Sequence, residues 1–209
     1  MNASQPQASS RALLTLLLIW TAALSVSGRA PYERVTWLME VTPCLILMPI
    51  LWWTRRRFVF TPLVYGLMTV HGLILMLGGA YTYARVPLGF WMQDWFDLTR
   101  NDYDKIGHFA QGFVPAFVAR ELLVRVYAIK HRRLLVVLCL SISLAISALY
   151  ELIEWWSALL LGSGADEFLG TQGYVWDTQS DMFMALIGAA CAMLLTRWHD
   201  AAMRPLCAN

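Results

Sequence analysis

Charge is what this sequence has least of. Only 14% of its 209 residues are Asp, Glu, Lys or Arg, and 58% are hydrophobic, against about 25% and 45–50% in soluble domains. That balance argues against an ordinary soluble domain. The surplus apolar residues fall in long runs, as membrane spans require. Cysteine is sparse as well. Cys44, Cys139, Cys191 and Cys207 are scattered with no Cys-x-x-Cys pair, which argues against a zinc ribbon and leaves small apolar packing residues. No polar linker is long enough to divide the chain into two domains. No G-x-S-x-G elbow, H-E-x-x-H helix, P-loop or dinucleotide fingerprint occurs, so the commonest hydrolase, zinc-protease and nucleotide-binding motifs are missing. The basic residues form small clusters between apolar runs, which gives no support to a nucleic-acid partner.

Six apolar runs are present, at about Ala12–Gly28, Val35–Trp53, Leu63–Tyr83, Ile106–Tyr127, Leu134–Leu161 and Asp181–Trp198. Each approaches the ~20 residues that a helix rising 1.5 Å per residue needs to cross the hydrocarbon core. The expected fold is an all-α, polytopic transmembrane helix bundle of about six spans, one domain over 12–198. Tails over 1–11 and 199–209 flank it, the first ten residues polar and expected to be disordered. The fifth run is long enough that its helix must tilt or project. Pro43 and Pro49 should bend the second helix. The first run reads either as a retained span or, because Arg11 precedes it and Ser25-Val26-Ser27 ends it, as a signal peptide. Gly72, Gly78, Gly79, Gly112 and Gly188 suit close helix approach.

Lys and Arg set the orientation. With the N-terminus inside, Arg11, Arg55-Arg56-Arg57, Arg125, Lys130, Arg132, Arg133, Arg197 and Arg204 lie on the inner side, and Arg29, Arg34, Arg85, Arg100 and Lys105 on the outer. Both termini are therefore expected to be cytoplasmic. The third-to-fourth loop is not an ordinary linker. Phe90, Trp91, Trp95 and Phe96 sit there at helical spacing, as in an amphipathic segment lying at the outer interface. A plain aromatic belt explains them equally well.

The acidic residues sort oppositely. Glu33, Glu40, Asp94, Asp97, Asp102, Asp104, Glu151, Glu154, Asp166, Glu167, Asp177 and Asp181 fall on the outer side, and only Glu121 and Asp200 on the inner. Three pairs at spacings of three or four share a helical face: Asp104 with His108, Glu151 with Glu154, and Asp177 with Asp181. All three should lie at similar depth, and bundles build metal sites from Glu and His projecting inward in this way. For Asp104, Asp177 and Asp181 helix capping is the simpler explanation. Glu151 and Glu154 resist it, because they lie toward a helix C-terminus beside Trp155 and Trp156. Ionised there, they need a cation, a proton or an ion-pair partner such as Lys105 or Arg100. The candidate metal ligands are Asp104, His108, Glu151, Glu154, Asp177 and Asp181, with Glu151 and Glu154 the candidate catalytic carboxylates. The cofactor would be a divalent metal ion, whose identity the residue types leave open. Glu40 and His71 would extend the site or serve as interhelical hydrogen bonds. Arg120-Glu121 reads as a structural ion pair.

The segments Asn101-Asp102-Tyr103-Asp104-Lys105-Ile106-Gly107-His108-Phe109-Ala110-Gln111-Gly112-Phe113, Arg120-Glu121 and Tyr150-Glu151-Leu152-Ile153-Glu154-Trp155 resemble the YjdF-like family of bacterial inner-membrane proteins. So do Phe168-Leu169-Gly170-Thr171-Gln172-Gly173, Trp176-Asp177-Thr178-Gln179 and Asp181-Met182. The resemblance runs from the second helix to the sixth. It implies a multi-pass inner-membrane protein and brings no reaction with it. One position departs: the family pattern has Asp where this chain has Tyr174. A fainter likeness is to VanZ-like membrane proteins, through Asp104, Lys105, His108, Phe109, Glu151 and Asp181, and implies cell-envelope chemistry at the outer face.

Three functions are compatible with these features. The first is a metal-dependent membrane hydrolase or transferase acting on a lipid headgroup or lipid-linked envelope substrate. The second is a cation- or proton-coupled transporter, for which the inner half offers few ionisable residues and no inverted repeat is detectable. The third is a non-catalytic envelope interaction protein. The partner common to all three is membrane lipid.

Overall fold

The computed structural model describes residues 4–162 and 171–207. Eight helices occur among them, and no strand: α1 Ser4–Ser27, α2 Arg34–Thr54, α3 Pro62–Tyr81, α4 Pro87–Phe96, α5 Tyr103–Arg125, α6 Arg132–Leu161, α7 Asp177–Leu194 and α8 Thr196–Cys207. Five of the apolar runs have each become a helix, and the sixth is divided between α7 and α8. α1, α2, α3 and α6 are each long and apolar enough to cross a membrane, and the bent pair α7–α8 adds a fifth candidate. α5 is long enough, but Asp104, Lys105, Arg120, Glu121 and Arg125 make it too polar to qualify alone. Its polar groups are sheltered by neighbours instead, since it packs against α3, α6 and α7. A polar helix is tolerated at membrane depth where the bundle buries it.

Three segments differ from expectation. α1 begins at Ser4 rather than Ala12, because once a helix exists each added residue gains a backbone hydrogen bond at little cost. The last span is not straight: the chain bends by 61° between α7 and α8. What the sequence presents as a tail after residue 198 is the amphipathic α8, held in place by buried His199 and Met203. Asp166, Glu167 and Phe168-Leu169-Gly170 lie outside the described residues.

Local signals fix the helix ends. Glu33 caps α2, its carboxylate accepting from the backbone N–H of Val35 and of Thr36. Thr61 caps α3, followed by Pro62 at the first helical position. α1 packs on α3 through buried Leu13, Leu16 and Trp20, and Trp20 Nε1 donates to the Thr69 carbonyl at 3.2 Å. At the other end of α1, Trp37 Nε1 donates to Ser27 Oγ at 3.0 Å.

The closest approach joins α5 to α7. A Cβ at Gly112 would lie 1.7 Å from the Ala185 carbonyl oxygen, and one at Gly188 would lie 2.1 Å from that of Phe109. Neither backbone can yield, so only glycine fits at these two crossings. This contact places the first turns of α5 and α7 side by side.

The helices alternate in direction, so one end of the bundle gathers the starts of α2, α5 and α7 with the ends of α1, α3 and α6. α4 lies at that end, with Phe90, Trp91, Trp95 and Phe96 all exposed. A short helix with exposed aromatics fits both readings of this segment, an interfacial amphipathic helix and a plain aromatic belt. The opposite end carries the basic clusters, the start of α1 and all of α8.

Candidate functional site

The site lies where α2, α3, α5, α6 and α7 converge at the acidic end. Two loops set its rim. In the stretch before α5, Asn101 Nδ2 donates to the Val86 carbonyl at 3.0 Å. The Asn101 backbone N–H donates to Gln172 Oε1 at 3.2 Å, and Gln172 Nε2 donates to the Asn101 carbonyl at 2.8 Å. Arg100 Nη1 donates to the Thr171 carbonyl at 2.7 Å. These bonds fasten the loop before α5 to the loop before α7 and hold Arg100 between them.

Arg100 and Lys105 then distribute their donors among four aspartates. Arg100 reaches Asp102 at 2.7 Å, Asp177 at 2.6 Å and Asp104 at 3.3 Å. Lys105 Nζ reaches Asp181 at 2.6 Å, Asp177 at 3.2 Å and Asp104 at 3.6 Å. Burial works against the Arg100 charge, but the bond to Asp177 and the charges of Asp104 and Asp177 outweigh it, so its pKa lies above the ordinary value. The ring of Tyr174 lies 5.0 Å from the Arg100 guanidinium and 5.8 Å from Lys105 Nζ. An aromatic face thus stands beside both cations.

Capping describes these aspartates only in part: Asp104 accepts from the Lys105 backbone N–H at 2.8 Å, in the first turn of α5. The N-cap of α5 is Asp102 and that of α7 is Trp176, and neither side chain caps. Asp177 and Asp181 instead accept across the α5–α7 contact. Nor do Arg100 and Lys105 serve Glu151 and Glu154. Among the described residues their ion pairs all go to aspartates, which leaves the two glutamates on α6 without them.

His108, Glu151 and Asp181 come together, each buried, with one ligand atom from each within 4.8 Å of the others. His108 Nδ1 lies 3.9 Å from Glu151 Oε1, and Nε2 lies 3.8 Å from Asp181 Oδ2. Gln111 Oε1 lies 3.1 Å from Nδ1. An amide oxygen only accepts, so this bond puts the proton on Nδ1 and leaves the Nε2 lone pair toward Asp181. Glu151 Oε1 is buried and has no hydrogen-bond partner among the described residues. Such an atom calls for an explanation. Asp104, Asp177 and Asp181 form a second group of the same dimensions, but each of its members is already ion-paired with Arg100 or Lys105.

Beside the first group lies a cavity of about 30 Å³, lined by residues that include Glu40, Tyr83, His108, Tyr150, Glu154 and Asp181. It has room for an ion or a water-sized occupant. Glu154 faces it from one turn beyond Glu151 and belongs to neither compact group. Glu40, from α2, accepts from the Tyr150 hydroxyl at 2.7 Å. Tyr83 fills the gap between α3 and α5, where neither Gly78 nor Gly107 leaves room for a Cβ.

Gln111, Tyr83, Tyr150, Asn101 and Gln172 do not stand out from the sequence as site residues. Gln111 shares a helical face with Asp104 and His108, and that spacing is the signal that could have found it. The tyrosines carry no such signal, because their partners come from other helices.

Comparison with known proteins agrees with this architecture. No solved structure matches the chain. The chain is 54% identical over 192 residues, covering 91% of it and 89% of the relative, to the Inner membrane protein YjdF of Escherichia coli (strain K12). With several membrane-spanning helices besides, the location is the inner membrane. Residues 12–201 match the family described as Predicted membrane protein (DUF2238), and the chain belongs to that family.

Proposed function

We propose that the cluster of His108, Glu151 and Asp181 binds a divalent cation and that the protein carries out metal-dependent chemistry on a lipid or envelope substrate at the outer face. The observation that carries this reading is Glu151 Oε1, a buried acceptor without a partner, in a compact group with His108 and the second carboxylate of Asp181. Ionised carboxylates are expensive at this depth, and a divalent ion offsets that cost better than a single proton. The bond between His108 and Gln111 suits it too, because a ligating His commonly donates its other ring N–H to an acceptor of this kind.

A cation held there would supply Lewis-acid polarisation of a substrate oxygen. The surrounding residues have separate tasks. Arg100 and Lys105 hold the aspartates in place. Gln111 orients His108. Glu154 is the carboxylate placed to take up or release a proton in the cavity. The exposed aromatic face of α4 gives a headgroup-level approach from the membrane. Transport is less well supported. Between the acidic and basic ends lies a chamber of about 270 Å³ lined mainly by apolar groups such as Pro43, Leu47, Met68, Val114 and Val118. A hydrated ion would find few partners there.

Elemental analysis of protein purified without chelators tests this reading. The wild type should hold one divalent ion per chain, and chelation should lower its Tm, because the ion stabilises only the folded state. His108→Ala, Glu151→Ala and Asp181→Ala should each lose the metal. Metal-free wild-type protein whose Tm ignores added zinc, manganese and magnesium would reject it.

A further inference from the structure

The basic end of the bundle holds a second pocket. It has a volume of about 300 Å³ and lies between the ends of α5 and α7 and the starts of α6 and α8. Arg120, Lys130, Arg132 and Arg197 line it, with Asp200 as its only carboxylate. Asp200 is already taken, since Arg120 Nη2 donates to it at 2.5 Å. The other acidic residue at this end, Glu121, is fully buried and bonded to Arg125, His199 and Thr61. No described carboxylate within ion-pair distance faces Lys130, Arg132 or Arg197. Three cations from different elements thus converge on one space, and the described fold supplies no anion to match them.

Arg120 supplies a rigid floor. It is buried, and its Nη1 lies 3.2 Å from His199 Nδ1. Arginine only donates, so Nδ1 accepts, and His199 Nε2 carries the proton that goes to Glu121 at 3.1 Å. The guanidinium keeps N–H groups beyond the two used by His199 and Asp200. The start of α6, a helix of 30 residues, adds the partial positive charge of a helix N-terminus. Leu135, Val136 and Met193 complete the wall, so the pocket is charged on one side and apolar on the other. Its surroundings place it at headgroup level. Tyr127, three residues before Lys130, and Trp198, next to Arg197, are exposed, as aromatic residues are at membrane interfaces. α8 leaves α7 at 61°, the course of a helix turning into the membrane plane.

We infer that this pocket binds the phosphodiester headgroup of an anionic phospholipid. The cations meet the phosphate, and the apolar wall meets the glycerol ester region. A zwitterionic headgroup brings its own cation into a pocket already three charges in excess, so it is disfavoured. The inference does not depend on any metal at the opposite end.

The test uses full-length protein in neutral-detergent micelles doped with phosphatidylglycerol, with phosphatidylcholine, or with no lipid but inorganic phosphate. Phosphatidylglycerol at about ten times its Kd should raise Tm by roughly 3–6 °C, and phosphatidylcholine should not. The rise should shrink as salt is added. Lys130→Glu combined with Arg197→Glu should abolish it and leave Tm in phosphatidylcholine unchanged, because both residues are exposed. Arg55→Glu combined with Arg56→Glu makes the same charge change outside the pocket and should leave the rise intact. Equal stabilisation by the two lipids, or a rise that survives the pocket substitutions, would overturn the site. A rise of equal size from inorganic phosphate would overturn its assignment to lipid.

Discussion

His108 Nε2 stands 3.8 Å from Asp181 Oδ2, across a helix contact that leaves no room for a Cβ at Gly112 or Gly188. The distance between the two side chains is therefore set by two glycines that carry no chemistry. Gly112→Ala should push α5 from α7, since the opposing atom is a backbone oxygen. Overpacking costs about 1–3 kcal/mol where side chains can shift, and here nothing can, so the upper end is expected. Gly188→Ala should do the same. Thermal unfolding in detergent measures the loss. A neutral result at both positions would show that the contact is looser than described.

Lys105 holds the aspartates Asp104, Asp177 and Asp181 together. Lys105→Met keeps much of the side chain's volume and removes its charge. Removing one partner of a largely buried ionic cluster costs about 3–5 kcal/mol. If a divalent ion binds nearby, millimolar manganese or magnesium should restore part of the lost Tm in Lys105→Met, because a second cation can then occupy the group of Asp104, Asp177 and Asp181. No restoration would mean that these aspartates require an ammonium.

The bundle was legible in the sequence because apolar runs of about 20 residues have only one economical structure in a bilayer. The three acidic pairs were legible for a related reason: spacings of three and four define a helical face whatever the tertiary structure. What could not be read was which pairs face each other. Asp104 and Asp177 look like caps from their place near helix starts, yet Arg100 reaches Asp104 from four residues before it and Asp177 across a loop–loop contact made by Asn101 and Gln172. Tyr150 and Glu40 are 110 positions apart, and no periodicity connects them. The bend after Leu194 was equally hidden, since the apolar run continues beyond it.

Glu33 offers a pH test outside the membrane. Burial is the largest single influence and opposes its charge, but bonds from the Thr36 and Val35 backbone N–H groups and the Thr36 side chain together outweigh it, and its pKa falls below the ordinary 4.5. A group with a depressed folded-state pKa stabilises above its unfolded value and loses that contribution as pH falls through the folded value. Wild type and Glu33→Gln should therefore differ in Tm at pH 7 and converge as the pH falls through the folded-state value, which lies below 4.5. A constant difference across that range would exclude the charged cap.

Orientation follows from the basic residues. Reporter fusions within 128–133 should be cytoplasmic, and fusions at Tyr83–Val86, at the far end of α3, periplasmic. α5 and α6 form a hairpin, so a periplasmic signal from 128–133 would invert the whole bundle and exchange the faces of the acidic and basic ends.

Glu121 and Asp200 separate buried from exposed ionic bonding within one network. Both are acidic, both lie at the basic end, and both are tied to arginine. Glu121 is 0% exposed as a side chain and Asp200 is 47% exposed. The Glu121 carboxylate accepts from the Thr61 backbone N–H and from Thr61 Oγ1 at 2.9 Å each, from His199 Nε2 at 3.1 Å, and from Arg125 Nη1. It thereby joins the start of α3, the end of α5 and α8. Glu121→Gln places an amide N–H₂ against donors that need an acceptor, and it leaves the nearby guanidinium uncompensated. A loss of about 3–5 kcal/mol is expected. Asp200→Asn breaks a solvated pair and should cost no more than about 1 kcal/mol. His199→Ala should couple to Glu121→Gln in a double-mutant cycle, with an interaction of about 0.5–3 kcal/mol, because the two side chains share a bond. Equal losses from Glu121→Gln and Asp200→Asn, with no coupling to His199, would mean that α8 is held by its apolar contacts, Met203 among them, and that Glu121 is solvated in the native protein.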